Sequence, residues 1–140
     1  MTSRPAPPRT DRGSASAEMA ILAVPAMILL AMFVIFCGRA TSAVIDVNAA
    51  AAAAARAAAD PATPAEATIA AAESLAANTA ATGWDCTAAT DTSNHHRGGH
   101  VTVTVTCTVP LSDLGLPIGA TRTVTATTTE PIDTYRAGTP

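Results

Sequence analysis

The chain has no lysine, and its aromatic residues are only Phe33, Phe36, Trp84 and Tyr135. Nucleic-acid binding draws on clustered cations for the phosphates and on aromatic faces for the bases. Eight arginines stand against 11 acids, a net charge of -3. Residues 1–13 hold Arg4, Arg9, Arg12 and Asp11; without them five arginines face ten acids, a net charge of -5. No basic patch exists, and a nucleic-acid partner is excluded on that ground. A glycine-rich phosphate loop, a nucleophile elbow and a zinc-protease motif are all missing. No catalytic residue and no cofactor are therefore assigned, and the chain is read as a non-enzyme. His95, His96 and His100 lie near Asp91. They flank Arg97-Gly98-Gly99, no cysteine joins them at ligand spacing, and adjacent histidines suit a turn as well as a site. No metal is assigned.

Cysteine is scarce as well: Cys37, Cys86 and Cys107. Cys37 ends an apolar run that begins at Met19, whereas the other two lie in the polar half. A pair beyond a membrane segment fits a disulfide in an oxidising compartment; two free thiols in a cytoplasmic domain is the competing reading.

What the chain does have is that apolar run. Met19–Gly38 is about 20 residues without a charge, enough at about 1.5 Å per residue to cross a hydrocarbon core of roughly 30 Å. Arg4, Arg9 and Arg12 precede it, while Arg39 and Arg56 follow it mixed with Asp46 and Asp60. This bias predicts the N-terminus in the cytoplasm and the C-terminus outside. Pro25 removes a backbone donor within the span and predicts a kink. An ordinary signal peptide cut near Thr41-Ser42-Ala43 and an uncleaved anchor both compete with the processed form described below. A lipoprotein signal ending at Cys37 is disfavoured by the bulky Phe36 before it.

No proline interrupts residues 39–59, and Arg56 alone breaks the alanine run 49–59. Alanine has the highest helix propensity. One helix from about Ser14 to Ala59 is expected, roughly 69 Å long at the standard rise. Val44, Val47, Ala51, Ala54, Ala55 and Ala58 recur at three-and-four spacing. This small-residue stripe packs either beneath the chain's own sheet or against neighbouring subunits. Asp60-Pro61 ends the helix. Thr63-Pro64-Ala65-Glu66 has the form of a capping box and starts a second helix, Pro64 to about Asn78. Its expected inner face carries Ile69, Ala72 and Leu75/Ala76.

The remainder reads as sheet. Residues 100–109 alternate strictly, Val101, Val103, Val105, Cys107 and Val109 on one face and threonines on the other. Residues 122–130 form a second strand, with Val124 and Ala126 on one side, and residues 84–90 a weaker one. A hairpin turning near His96–Arg97 and Gly98-Gly99 places Cys86 opposite Cys107, Trp84 opposite Val109 and Ala88 opposite Val105. The bridge would close a loop of about 20 residues, worth roughly 3 kcal/mol on the chain-entropy model. The fold class is therefore α+β: a long N-terminal transmembrane helix continuing into a small head with a second helix and a three-stranded antiparallel sheet. The divisions are 1–13 as a cytoplasmic leader, 14–59 as the long helix with its span at 19–38, and 60–140 as an extracytoplasmic head.

Arg12-Gly13, then Glu18 just ahead of the apolar run, resembles a class III signal, which prepilin peptidases cut after glycine. With Glu18-Met19-Ala20, Pro25, Gly38-Arg39, Ala55-Arg56-Ala57 and a Thr-rich last strand carrying Glu130, the ordered set resembles the TadE-like proteins of tight-adherence (Flp) pilus systems. The likeness is sharpest over residues 12–59 and only architectural beyond. It implies processing between Gly13 and Ser14. It also implies a single-pass pilin-like or pseudopilin subunit that supports pilus assembly and surface attachment. The implied partners are membrane lipid, prepilin peptidase, other pilin-like subunits and the pilus assembly machinery. Carried onto this chain, Glu18 would pair with the Ser14 ammonium of a neighbouring subunit; a carboxylate that simply reaches the headgroups is the other reading. The alternative function is an anchored or secreted binding domain unrelated to pili.

Overall fold

The computed structural model describes residues 14–113 and 119–135, with side chains from Ala17 onward. Residues 1–13, the expected leader with Gly13, lie outside the described residues. Helix α1 spans Ser14–Ala59 and α2 spans Pro64–Thr79; strands β1 (Asp85–Asp91), β2 (His100–Pro110) and β3 (Thr121–Pro131) form one antiparallel sheet in the order β1-β2-β3. This is the expected α+β arrangement. The chain divides into two compact units, 1–35 and 36–140, and the boundary falls within α1.

In the first unit α1 is long and apolar enough to cross a membrane. None of its described side chains is buried; Met19 is 75% exposed and Leu22 71%. A surface this apolar is stable in lipid and costly in water.

In the second unit, the rest of α1 supplies one side of the core. Ala43, Val47, Ala50, Ala51, Ala54, Ala55 and Ala58 are buried. Facing them, every inward residue of β2 from Val101 to Val109 is fully buried. Alanine on the helix lets the backbone approach the sheet closely, and valine on the strand fills the gap. Each buried valine contributes roughly 1.5–3 kcal/mol before the entropy cost of ordering the chain. The small-residue stripe thus packs against the chain's own sheet. The stripe differs from the expected one in two places: Val44 is 43% exposed and Ala43 takes the inner position, and Ala50 is buried as well. In a run of small apolar residues, spacing alone does not rank adjacent positions.

Helix α2 starts as its sequence dictates. Thr63 is extended (φ -117°, ψ 149°), its Oγ1 accepts from the Glu66 N–H at 3.3 Å, and Pro64 opens the helix. The Glu66 carboxylate in turn accepts from the Thr63 hydroxyl at 3.0 Å. The inner face is Ala67, Ala71 and Leu75. Of the expected set only Leu75 is buried; Ile69 is 58% exposed, and Ala72 and Ala76 are exposed. With alanine on all sides, the apolar pattern carries little directional information, and α2 packs against β1 through the face of Ala67, Ala71 and Leu75.

The β1–β2 register is the expected one, with Cys86 opposite Cys107 and Ala88 opposite Val105. Trp84 lies just before the ladder, which opens with Asp85 opposite Thr108. On β3, Val124 faces Cys107 and Ala126 faces Val105. The outer face is a threonine ladder: Thr102–Thr129, Thr104–Thr127 and Thr106–Thr125 are hydroxyl pairs at 2.9, 3.0 and 3.4 Å. Such cross-strand pairs hold register on a solvated face. In the hairpin loop Gly98 has φ 73°, a backbone region that side chains rarely adopt, and a Cβ on Gly99 would collide with the Asn94 carbonyl oxygen.

Candidate functional site

Three sets of residues are candidates: the start of α1, the cysteine bridge, and the contacts that tie α1 to the sheet. Ser14 is the first residue of α1, and Glu18 lies exposed one turn further along. No ion pair is recorded for Glu18 among the described residues. Helix α1 continues through Pro25. Thr41, Ser42 and Asn48, just beyond the apolar run, donate back to the carbonyls of Cys37, Gly38 and Val44 at 2.9, 3.2 and 2.7 Å. Polar side chains there are satisfied within the helix and do not break it.

Cys86 and Cys107 form a disulfide, and Cys37 is free and exposed. Cys107 is fully buried in the cluster with the α1 alanines, while Cys86 is only half-buried. The bridge ties the short β1 to the centre of the sheet.

Two contacts join α1 to the sheet from opposite ends. Arg56 Nε lies 3.5 Å from Glu130 Oε1 on the inner face of β3. At the other end Arg39 donates to the Asp113 carbonyl oxygen at 3.0 Å, and the Asp113 carboxylate accepts from the Trp84 indole N–H at 3.3 Å. Sequence reasoning found neither contact. Arg39 and Asp113 are 74 residues apart, and no spacing rule links them.

The histidine loop is internally bonded. His96 Nε2 meets Asn94 Oδ1 at 2.7 Å, His96 Nδ1 meets the Arg97 carbonyl at 3.1 Å, and His100 Nδ1 meets Asn94 Nδ2 at 2.9 Å. Asp91 accepts from the Ser93 N–H at 2.9 Å. That backbone bond, then the Ser93 side chain and then the nearby His100, hold the Asp91 carboxyl below its ordinary value. Among the described residues no group of three metal-ligating side chains comes together. The polar groups of Asp91, His96 and His100 close a turn, whereas His95 Nε2 is buried with no hydrogen-bond partner among the described residues.

No curated protein and no solved structure matches the chain. The model of the TadE-like protein family matches residues 13–56. The matched segment ends at Arg56, the residue that pairs with Glu130, and leaves α2 and the sheet unmatched. Over α1, from the residue before Ser14 to Arg56, the chain is therefore similar to the TadE-like family.

Proposed function

We propose that the protein is a membrane-anchored, pilin-like subunit, a minor pilin or pseudopilin, that supports assembly of a tight-adherence pilus and surface attachment. The observation that carries this reading is the TadE-like match over residues 13–56, coincident with a helix long and apolar enough to cross a membrane. A prepilin peptidase cuts after Gly13 and leaves Ser14 as the new N-terminus. The helix holds the chain in the cell membrane, N-terminus in the cytoplasm and head outside, bent at Pro25 for packing in a bundle. Its partners are other pilin-like subunits and the assembly machinery. The role is structural and involves no catalysis. The oxidised Cys86–Cys107 pair supports an extracytoplasmic head.

A second reading, an anchored binding domain with no filament, draws on one observation. The small-residue stripe of α1 is already occupied by the chain's own sheet, so this face is not free for a neighbouring subunit. Mass analysis of the mature protein separates the two. The pilin-like reading expects a chain beginning at Ser14, and a Gly13 variant with a bulky side chain accumulating as a precursor about 13 residues longer. Retention of residues 1–13, or a start at Val44, would overturn it.

A further inference from the structure

A groove of about 290 Å³ opens between α1 and the sheet, wholly within the unit formed by residues 36–140. Ala40, Thr41 and Val44 line it from the helix, Val109 and Val124 from the sheet, and Arg122 from its edge. We propose that this groove binds the phosphate and glycerol end of an anionic phospholipid from the bilayer that holds α1, with Arg122 as the phosphate contact. The proposal rests on the membrane-anchor reading and adds a specific lipid site to it.

Charge supplies the first argument. The groove is apolar apart from Thr41 and Arg122. Arg122 is exposed, and no ion pair is recorded for it among the described residues. A guanidinium presents a planar fork that matches phosphate oxygens bidentately. Arg39, whose guanidinium reaches the Asp113 carbonyl, adds a second cation at the same end of the sheet. The Asp113 carboxylate opposes them, but it is engaged by the Trp84 indole.

Position supplies the second. Ala40 and Val44 follow Gly38 by two and six residues, about 3 and 9 Å along the helix at the standard rise. Headgroup layers occupy roughly the 5–8 Å on either side of the hydrocarbon core. The exposed apolar surface does not stop with the span: Val44 is 43% exposed and Ile45 60%. Trp84 packs in the cluster of Ala43 and Val109, with Phe36, Ala40 and Val124 around it. Indole is favoured at the membrane interface.

Size supplies the third. At about 290 Å³ the groove is too small to seat a partner helix or strand. A free phosphate ion would use Arg122 but leave the apolar walls wet. A phospholipid uses both, its phosphate on Arg122 and the acyl carbons next to its glycerol against the apolar walls.

Trp84 is the only tryptophan in the chain and packs against Ala43 and Val109, which line the groove. The full chain is reconstituted in phosphatidylcholine vesicles carrying a minor fraction of brominated phosphatidylglycerol, or the same fraction of brominated phosphatidylcholine. Preferential quenching by the anionic lipid is expected, equivalent to about fivefold local enrichment, the scale of one arginine at a membrane surface. Arg122→Gln should remove the preference. Val44→Phe, which fills the groove without changing charge, should remove it too. Non-reducing mass analysis checks that each variant keeps its disulfide. Equal quenching by both lipids, or a preference that survives Val44→Phe, would overturn the groove site; the latter would mean diffuse surface attraction. Loss of the preference on adding inorganic phosphate would assign the site to a free anion instead. Protection of Trp84 by a second copy, seen as cross-linked dimer without lipid quenching, also overturns it. Failure of the wild-type chain to float with vesicles would overturn the anchor reading itself.

Discussion

Cys86 and Cys107 are direct cross-strand partners whose Cα atoms lie 4.1 Å apart, bridged across the β1–β2 pair. The bridge closes a loop with a sequence separation of 21. Replacing either cysteine by alanine should destabilise the head by about 2–5 kcal/mol, as for small secreted domains. Thermal unfolding of the variants measures this. Mass analysis without reductant should show one bridge and one free thiol, that of Cys37. A fully reduced protein isolated without reductant would contradict the bridge.

Arg56 and Glu130 join the end of α1 to β3, with side chains 75% and 26% exposed. A pair this open to solvent is screened. A double-mutant cycle of Arg56→Ala and Glu130→Ala should give a coupling of about 0.2–1 kcal/mol. The coupling should shrink as salt is raised. A value of several kcal/mol would show the pair to be far less solvated than its exposure indicates.

Ala54 and Ile69 form a contrast in which size and burial are inverted. Ala54 is fully buried and Ile69 is 58% exposed. Ala54→Leu should cost about 1–3 kcal/mol through overpacking against the β2 valines. Ile69→Ala should change stability by no more than about 0.5 kcal/mol. Chemical denaturation of both variants tests the assignment; the reverse order would mean that α2 docks on its other face.

Asp91 contributes to stability in a defined pH window. Its folded value lies below the ordinary 3.8, chiefly through the Ser93 backbone bond. A depressed carboxyl stabilises the fold at pH values above the unfolded one, and that contribution fades as pH falls through the folded value. Asp91→Asn should therefore reduce stability near neutrality and flatten its acid dependence below about pH 4. Melting curves across that range measure the difference. A variant whose acid slope equals the wild type's would remove Asp91 from the account.

Glu18 has no recorded ion-pair partner among the described residues of the single chain. On the pilin-like reading its partner is the Ser14 amine of a neighbour, which exists only after cleavage. Glu18→Ala should then impair pilus assembly while leaving the melting of the head unchanged. Normal piliation of that variant would reduce Glu18 to a boundary residue at the headgroups.

The elements of this protein were written in its local chemistry. An uncharged run, an alanine tract closed by Asp60-Pro61, the Thr63–Glu66 cap and strict Val/Thr alternation each specify a backbone conformation through forces that act within a few residues. The β1–β2 register was legible for the same reason. A period of two and a glycine turn leave one pairing that keeps valines and cysteines on a single face, and Cys86 falls opposite Cys107. The buried stripe of α1 was legible at Val47, Ala51, Ala54, Ala55 and Ala58, but its first position and the buried face of α2 were not. Alanine has almost no side chain with which to mark a side, so Ala43 could replace Val44, and Ala67 and Ala71 could displace Ile69, at little local cost. Only the shape of the valine-covered sheet decided between them. The groove edged by Arg122, and the Arg39–Asp113–Trp84 cluster beside the same end of the sheet, likewise depend on closure of the sheet over α1. They join residues whose proximity no local rule encodes.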